Sequence, residues 1–508
     1  MNLFRKNFIK NSLVKVYRNI SIIGQGIILA PLVISTLGLK FASIWFLITQ
    51  FAAYVQLAEF GIPTGLTRIS SHYLALNDKK NLGEIAISCL LFLLLIASVI
   101  SFFSQELVGI FISAFNLAGS PDGTKFALKF ALIITAINLP LRCGISILES
   151  QQKFYVHLWV ETVFVILRVC VLYLIAYLNI LDLTLLSLIY FGANFLIHAT
   201  QFILAIKLIT IANIRDTFRN IPTHLKQIFT IGVSAMIVTA SATTLRQGTP
   251  LLFGLVHGIG EGVALFSITM LLVASIMQLL TVPISFVGPL ASQLHAKNKI
   301  NELYSTFLLF SKYSLIFATF ISIAFATIGK AFLNLWLDIG QSEIHTIYHL
   351  TFVIIISFSF SIPSLYARMI LSFVNKHTVT SILELTIVLI GLFIGYINIV
   401  KLDLGLLGMA YAVAAIFLLR SFGPLMLITV RCFKIDIKKY LADVYLKYTI
   451  LILTLIPFYI LLSCFFLNEY VIHSSTLILF AVLAWVFMLE NVHKEKMKHL
   501  LGITMCQQ

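Results

Sequence analysis

The chain has 508 residues, of which 60% are hydrophobic and only 11% are charged, and its mean hydropathy is +1.01. Since about a quarter of the residues in a water-soluble protein are charged, this composition excludes a soluble enzyme and predicts that the lipid bilayer is the solvent. The formal net charge is +15. No basic face with interleaved aromatic residues accompanies it, so we expect no nucleic-acid partner.

Apolar windows divide the chain into predicted membrane spans. Residues 1–18 mix Lys and Arg with Phe and Leu and predict a cytoplasmic or interfacial segment. Crossing the hydrocarbon takes about 20 apolar residues. The runs are continuously apolar rather than alternating or heptad-spaced, which predicts an all-α polytopic membrane protein with about 14 transmembrane helices. The windows are residues 19–38, 41–66, 85–105, 126–148, 157–178, 184–209, 228–253, 263–293, 303–328, 345–373, 378–398, 404–430, 448–468 and 471–490.

The basic residues predict how these spans are oriented. With both termini inside, 24 Lys and Arg lie at cytoplasmic ends and loops, and only five lie in outer loops. Because Lys and Arg accumulate on the cytoplasmic side of membrane proteins, we expect an even number of spans with both termini in the cytoplasm. The five outer residues are Lys40, Lys125, Lys129, Lys330 and Lys401.

Two halves of the chain share an ordered spacing that predicts an internal duplication. Pro63 and Asn81 recur as Pro283 and Asn301, 220 residues later. A second set recurs after 223 residues, and it pairs Pro140 with Pro363, Lys153 with Lys376, and Glu161 with Glu384. Parallel repeats of this kind are common in transporters. We therefore predict two pseudo-symmetric six-helix lobes, residues 19–226 and 227–435, followed by two extra C-terminal spans and a cytoplasmic tail in residues 436–508.

Charged residues within the apolar windows are the candidate functional residues. A charge at mid-membrane costs about 2.5–3.5 kcal/mol on insertion scales, so each should face a polar cavity or a partner. Six are positive and four are negative, which predicts a net cationic cavity and an anionic cargo. Ion bridges between helices, or snorkelling to the interface, remain alternatives for each. The ten residues are Arg142, Arg168, Arg246, Lys312, Arg368, Arg420, Glu59, Glu149, Glu161 and Glu384.

Some polar residues carry narrower expectations. Glu161 and Glu384 lie deep in their spans at equivalent positions of the predicted repeats, so they are candidates for coupling to a proton or cation. Gln25, Gln50, Gln56 and Asn194 fit either sugar hydroxyls or interhelical hydrogen bonds. The six cysteines are scattered and predict neither a metal site nor a disulfide framework, and we expect no cofactor.

The region around the second span resembles a known signature. It contains Leu37-Gly38, Trp45-Phe46-Leu47, Gln50, Tyr54, Leu57, Phe60-Gly61-Ile62 and the run from Thr64 to Arg68. This pattern is similar to that of Wzx-type polysaccharide flippases, which belong to the multidrug/oligosaccharidyl-lipid/polysaccharide (MOP) exporter superfamily. Those proteins usually have Asp where this chain has Glu59, which is a conservative departure.

The resemblance implies a function, to which the charged residues of the spans are then assigned from their charge and position. It implies two six-helix lobes enclosing a cavity, in the inner membrane of a bacterium, that flip oligosaccharide repeat units linked to undecaprenyl pyrophosphate from the cytoplasmic to the periplasmic leaflet. The oligosaccharide would belong to O-antigen or another surface polysaccharide, with membrane lipids, a polysaccharide polymerase and a chain-length regulator as further partners. No covalent bond changes, so no catalytic residues are expected. Arg142, Arg168, Arg246 and Arg368 would bind the pyrophosphate, and Glu59 joins Glu161 and Glu384 as a coupling candidate.

Two other functions compete with this one. A multidrug exporter of the same superfamily would carry small cations, and its cavity should be acidic rather than basic. A membrane O-antigen polymerase or ligase would have a similar length, but such enzymes usually carry a large loop, and no loop here exceeds about 20 residues between windows that are each long enough to span the bilayer.

Overall fold

A computed structural model describes most of the chain. It describes residues 2–117, 119–120, 122–208, 214–281, 299–373, 377–423, 426–428 and 437–446, together with residues 291, 294, 297, 431, 449, 475–476, 478–480 and 482–483. Within these residues every regular element is helical. Predicted spans 448–468 and 471–490, and the predicted repeat residues Pro283 and Lys376, lie wholly or almost wholly outside them.

The described helices follow each other with short connections. In chain order they are α1 (Asn2–Val55), α2 (Ile62–Ala75), α3 (Lys79–Phe102), α4 (Ser104–Ala114), α5 (Asp122–Leu141), α6 (Cys143–Ser150), α7 (Phe154–Tyr177), α8 (Leu183–Ile206), α9 (Ile214–Thr243), α10 (Thr249–His257), α11 (Glu261–Thr281), α12 (Ile300–Trp336), α13 (Gln341–Phe373), α14 (His377–Val400), α15 (Gly405–Phe422) and α16 (Ile437–Leu441). A 3₁₀ turn, Gln56–Glu59, follows α1, and π-helical turns occupy Thr244–Gly248 and Ala442–Leu446.

Eleven stretches of the described chain are long and apolar enough to cross a membrane. The first, Val14–Glu59, has 46 residues, which at 1.5 Å per residue would make about 69 Å of helix, more than twice the hydrocarbon thickness. The chain turns within it at Gly38, whose φ of 76° and ψ of 164° suit glycine alone. This stretch therefore holds the first two predicted spans, and the all-α, multi-pass membrane fold is confirmed.

The chain forms two compact units. The first comprises Met1–Ser275 and Glu384–Ala412, and the second comprises Ile276–Leu383 and Val413–Gln508. The two sequence-based lobes, divided after residue 226, stay a prediction.

The first unit has an apolar core built by α2, α3, the α5–α6 junction and α9. Its fully buried side chains include Leu66, Ile85, Leu139 and Ile228, together with the thiol of Cys143. This core fixes the relative positions of these helices. Cys143 of the core, and Ala58, which packs against it, are the sequence neighbours of the charged residues Arg142 and Glu59.

The second unit contains an antiparallel hairpin of α12 and α13. Buried hydroxyls join the two helices, since Ser314 lies 2.6 Å from the hydroxyl of Tyr366, and Ser322 lies 2.8 Å from Ser359. Such hydroxyl pairs satisfy polar groups that have no water inside the bilayer.

The prolines of the predicted duplication have different effects in the two halves. After Pro140 the helix ends at Leu141 and resumes at Cys143, whereas α13 continues through Pro363 to Phe373. Both prolines lack the N–H that would bind the carbonyl four residues earlier. Only the first one coincides with a break in the helix, and Arg142 lies in that break.

Candidate functional site

The first half of α1 and helix α7 lie side by side and share two polar contacts. Arg18 donates from Nε and Nη2 to the two carboxylate oxygens of Glu161, at 3.0 and 2.8 Å. Further along both helices, Arg168 donates from Nη2 to the side-chain oxygen of Gln25. Both contacts join residues 143 positions apart, and a spacing of seven residues is two turns on one helix face. The two helices are therefore parallel, as the predicted topology requires of spans one and five.

Arg168 is held by neutral groups. Its Nη1 lies 2.7 Å from Oδ1 of Asn194 and 3.3 Å from the carbonyl oxygen of Tyr190, while the ring of Tyr190 lies 4.2 Å from the guanidinium carbon. The residue is only 5% exposed. Since the neighbouring carboxylate of Glu161 is occupied by Arg18, these contacts orient the positive charge of Arg168 without cancelling it.

Arg142 and Glu59 form an ion pair. Nε of Arg142 lies 3.2 Å from Oε2 of Glu59, and their side chains are 21% and 13% exposed. Among the described residues neither of these two atoms makes an aligned hydrogen bond, so the contact is electrostatic. The structure thus brings together one residue predicted to bind phosphate and one predicted to couple to an ion.

Local backbone breaks position this pair. Arg142 lies in the gap between α5 and α6, just after Pro140. Glu59 ends a 3₁₀ turn and is followed by Phe60 and Gly61, with φ of 51° and 71°. A Cβ at Gly61 would collide with the carbonyl of Gly232 on α9. The close packing of α9 therefore explains why glycine follows Phe60 in the signature. The turn places the Glu59 carboxylate towards the break in the neighbouring helix.

Arg246 lies in the π-helical turn Thr244–Gly248 between α9 and α10. Pro250 lies just after this turn, at the start of α10. Because Pro250 has no N–H for the carbonyl of Arg246, the regular hydrogen bonding is lost at this point, and a π-turn accommodates the loss. Tyr54 of the signature hydrogen-bonds to Thr244, and its hydroxyl occupies the space that a Cβ at Gly248 would need.

The Arg246 side chain is exposed and differs from the other arginines of the first unit. No hydrogen bond or ion pair to it occurs within the described part of the chain. Its five N–H donors therefore remain available, and their planar arrangement matches phosphate or carboxylate oxygens. Of the candidate arginines in the first unit, this one is the best disposed to bind an anion.

The two remaining candidates have different surroundings. Arg368 is half-buried on α13 in the second unit. Glu384 is 1% exposed on α14 and belongs to the first unit. Their assignment to substrate binding and ion coupling, like that of the other candidates, stays a prediction.

The polar amides of the spans make interhelical hydrogen bonds. Gln25 and Asn194 both accept from Arg168, and Nε2 of Gln50 donates to Ser267 on α11 at 2.9 Å. Of the two uses predicted for these amides, the structure contains the hydrogen bonds between helices.

Sequence reasoning missed several residues. Arg18 was assigned to the N-terminal segment, although Arg18 and Gln25 have the same seven-residue spacing as Glu161 and Arg168. That shared spacing was the available signal. Tyr190, whose ring and carbonyl both contact Arg168, had no sequence signal.

A buried polar cluster at the start of α3 was also missed. The Glu84 side chain is 1% exposed, and Oε2 accepts from Nδ2 of Asn220 at 2.9 Å and lies 3.4 Å from Nε2 of His224. The ammonium of Lys80 lies 3.8 Å from Oε1 of Glu84. Glu84 lies just before the predicted window 85–105, and the packing of α9 against α3 buries it.

Comparison with known proteins identifies the fold. No protein-family model matches the sequence, and no curated protein matches it. Among solved structures, the lipid II flippase MurJ in an inward closed conformation is 15% identical, with a TM-score of 0.70 over 94% of this chain and 98% of that one. An inward-facing multidrug resistance MATE transporter of the MOP superfamily is 14% identical, with a TM-score of 0.66 over 82% of this chain and 95% of that one.

A third similar structure is a MOP superfamily transporter from Pyrococcus furiosus, described as having a binding pocket of reverse polarity that suggests a different function. It is 15% identical, with a TM-score of 0.56 over 85% of this chain and 94% of that one. At these identities the likeness concerns the fold. The chain is therefore a multi-pass membrane protein with the fold of the MurJ and MATE transporters of the MOP superfamily.

Proposed function

We propose that this protein is a transporter that flips oligosaccharide repeat units linked to undecaprenyl pyrophosphate from the cytoplasmic to the periplasmic leaflet by alternating access. The observation that carries the proposal is the exposed guanidinium of Arg246 on the π-turn, which has no partner among the described residues. A charge with no protein partner within a membrane span is costly, and an anionic cargo would supply the missing partner.

Arg168 would supply a second phosphate contact. Its neutral partners Gln25 and Asn194 fix the guanidinium in place and leave its charge uncompensated. Two phosphates offer several acceptor oxygens, and guanidinium groups bind such oxygens in bidentate fashion. Arg142 of the first unit would add a further contact to the head group, and Arg368 of the second unit stays a separate candidate for anion binding.

Glu59 and Glu161 would serve coupling because each is paired with an arginine. Protonation of Glu59 would release the Arg142 side chain 3.2 Å away, and protonation of Glu161 would release Arg18. A phosphate oxygen and a carboxylate would then compete for the same guanidinium. Glu384, which is 1% exposed, is the third coupling candidate.

Two energetic terms favour a polar path and outward movement. An unsatisfied hydroxyl in hydrocarbon costs several kcal/mol, so the sugar needs a hydrated cavity while the polyprenyl chain stays in lipid. With a negative cell interior, moving about two negative charges outward gains roughly 4–5 kcal/mol per 100 mV. The proposal includes a bacterial inner-membrane location with both termini in the cytoplasm, and a polysaccharide polymerase with its chain-length regulator as consumers of the product.

The second candidate is a multidrug or cation antiporter. The observation in its favour is the likeness to the MATE transporter, at a TM-score of 0.66. Cation binding should depend on acidic residues that are free of basic partners, whereas Glu59 and Glu161 are both paired with arginine. The charge arrangement therefore favours the anionic cargo.

A reconstitution experiment separates these functions. The full-length protein is placed in liposomes with a fluorescent undecaprenyl-pyrophosphate oligosaccharide, and flipping is followed by the loss of fluorescence to a membrane-impermeant quencher, with and without an imposed potential. We expect flipping above that of protein-free liposomes, and acceleration by a potential that is positive on the receiving side. Efflux of a lipophilic cation in the same liposomes without any flipping would instead establish the antiporter. Absence of both would reject both functions.

A further inference from the structure

A cavity of about 580 Å³ lies in the first unit where three connections between helices meet. The connections are those between α2 and α3, between α6 and α7, and after α8. The positive-inside pattern predicts that this end of the helices is cytoplasmic. The cavity is lined by Leu74, Lys79, Leu82, Ser150, Gln151, Gln152, Lys207 and Leu208.

The described lining residues include two lysines and no acidic side chain. Lys79 and Lys207 are both exposed, and neither forms an ion pair within the described residues. The nearby Lys80 differs, because its ammonium lies 3.8 Å from Glu84. Asp78 is occupied as well, since its carboxylate accepts from the backbone N–H and the side-chain amide of Asn81 at 3.0 and 2.6 Å. Two lysines thus face the cavity with their charge uncompensated.

The other lining residues divide into polar and apolar parts. Leu74, Leu82 and Leu208 provide apolar surface, while Gln151 and Ser150 provide amide and hydroxyl groups. The hydroxyl of Ser150 donates to the carbonyl of Ile147 at 2.8 Å, so its oxygen is still able to accept from a ligand hydroxyl. A ligand that matches this cavity has an anionic head, hydroxyl or ester groups, and an apolar extension.

We propose that this cavity binds the phosphate head group of an anionic phospholipid of the cytoplasmic leaflet. Lys79 and Lys207 bind the phosphate, Ser150 and Gln151 bind the glycerol part, and the leucines contact the start of the acyl chains. Free phosphate would use only the two lysines, so the apolar wall favours the lipid as the source of the anion. The site goes beyond the proposed transport function and involves none of the arginines assigned to it.

Calorimetric titration of the full-length protein in an uncharged detergent tests this site. The probes are dihexanoyl phosphatidylglycerol, dihexanoyl phosphatidylcholine and inorganic phosphate. The test variant is Lys79→Gln/Lys207→Gln, and the matched control is Lys40→Gln/Lys401→Gln, which removes the same charge from exposed lysines at the opposite, predicted outer end. Melting temperatures of all variants establish that they are folded.

We expect the wild type to bind phosphatidylglycerol more tightly than phosphatidylcholine or inorganic phosphate. The test variant should bind phosphatidylglycerol about 25-fold more weakly, roughly five-fold for each lysine, whereas the control should change less than two-fold. Raising the salt concentration should weaken binding by the wild type. If the double variant does not fold, Lys79→Gln and Lys207→Gln are measured singly, with about a five-fold loss expected for each.

Three results would overturn the proposal. The first is an unchanged affinity of the test variants for phosphatidylglycerol. The second is an equal loss of affinity in the control variant, which would mean unspecific electrostatic attraction. The third is binding of inorganic phosphate as tight as that of the lipid.

Discussion

The α1–α7 interface and the π-turn between α9 and α10 both carry arginines within membrane spans. The two regions differ in whether other side chains contact the guanidinium groups. At the interface Arg18 has both carboxylate oxygens of Glu161, and Arg168 has three neutral acceptors. On the π-turn Arg246 is exposed and has no partner in the described chain. The comparison teaches that the charges within the spans of a membrane protein include residues that join helices, so a charge in a span is not by itself evidence of a binding site.

The largest expected effect is a loss of transport when Arg246 of the π-turn is replaced. Arg246→Gln should lower the initial flipping rate of the oligosaccharide lipid at least ten-fold, since a charge-assisted hydrogen bond contributes about 1.5–3 kcal/mol. Its free energy of unfolding should not fall, because the side chain has no partner among the described residues that the substitution would remove. The flipping assay in liposomes and denaturant titration measure the two quantities.

Lys226→Gln is the matched control, because it removes an exposed positive charge from α9, the helix that precedes the π-turn, and should leave flipping unchanged. Equal rates for Arg246→Gln and the wild type would remove the distinction between free and paired arginines.

The next effect concerns stability at the interface. Arg168→Leu should lower the free energy of unfolding by about 1–3 kcal/mol, because it leaves the half-buried amides of Gln25 and Asn194 without their donor. Arg168→Lys keeps the charge but loses the forked geometry and should fall between Leu and the wild type. Denaturant titration of the purified protein measures both. A leucine variant as stable as the wild type would show that Arg168 does not join α1, α7 and α8.

A double-mutant cycle on Arg18 and Glu161 should give a smaller effect, namely the interaction energy of this ion pair. Interhelical polar contacts in membranes average about 0.6 kcal/mol and reach about 1.7 kcal/mol, and this bidentate pair should lie in the upper half of that range. Arg18→Ala and Glu161→Ala should each destabilise the protein, and the double variant should lose less than their sum. Strict additivity would indicate that the pair makes no energetic contribution to the interface.

The smallest effect lies outside the spans, at Asp78 before α3. Its hydrogen bonds to the backbone and side chain of Asn81 lower the pKa of the Asp78 carboxyl below its usual value. A group with a lowered pKa in the folded state adds stability above its unfolded pKa, and this stability is lost as the pH falls through the folded pKa. The wild type should therefore be more stable than Asp78→Ala at pH 6.

This advantage should shrink as the pH falls below about 4, and melting temperatures between pH 6 and pH 3 measure it. A difference that does not change with pH would mean that the carboxylate is not the cap of α3.

Much of the fold follows from the amino-acid sequence. Uninterrupted apolar windows require helices, because only a helix satisfies its own backbone within hydrocarbon, and the described spans coincide with the predicted windows up to residue 428. The Phe60-Gly61 signature and Pro140 also mark real breaks in the helices. Sequence reasoning did not foresee that Pro140 interrupts its helix whereas Pro363 does not, because the neighbouring packing determines whether the freed carbonyl is accommodated.

The sequence by itself determined that the protein is helical, that it spans the membrane many times and that arginines lie within its spans. Only the tertiary structure decided which arginines are paired. Glu161 is joined to Arg18, 143 residues away, and Glu59 to Arg142, rather than to charged residues on their own helices. Periodicity fixes the face of one helix on which a charge lies. Which helix packs against that face depends on the whole bundle, and this decides whether an arginine joins two helices or remains free for a ligand.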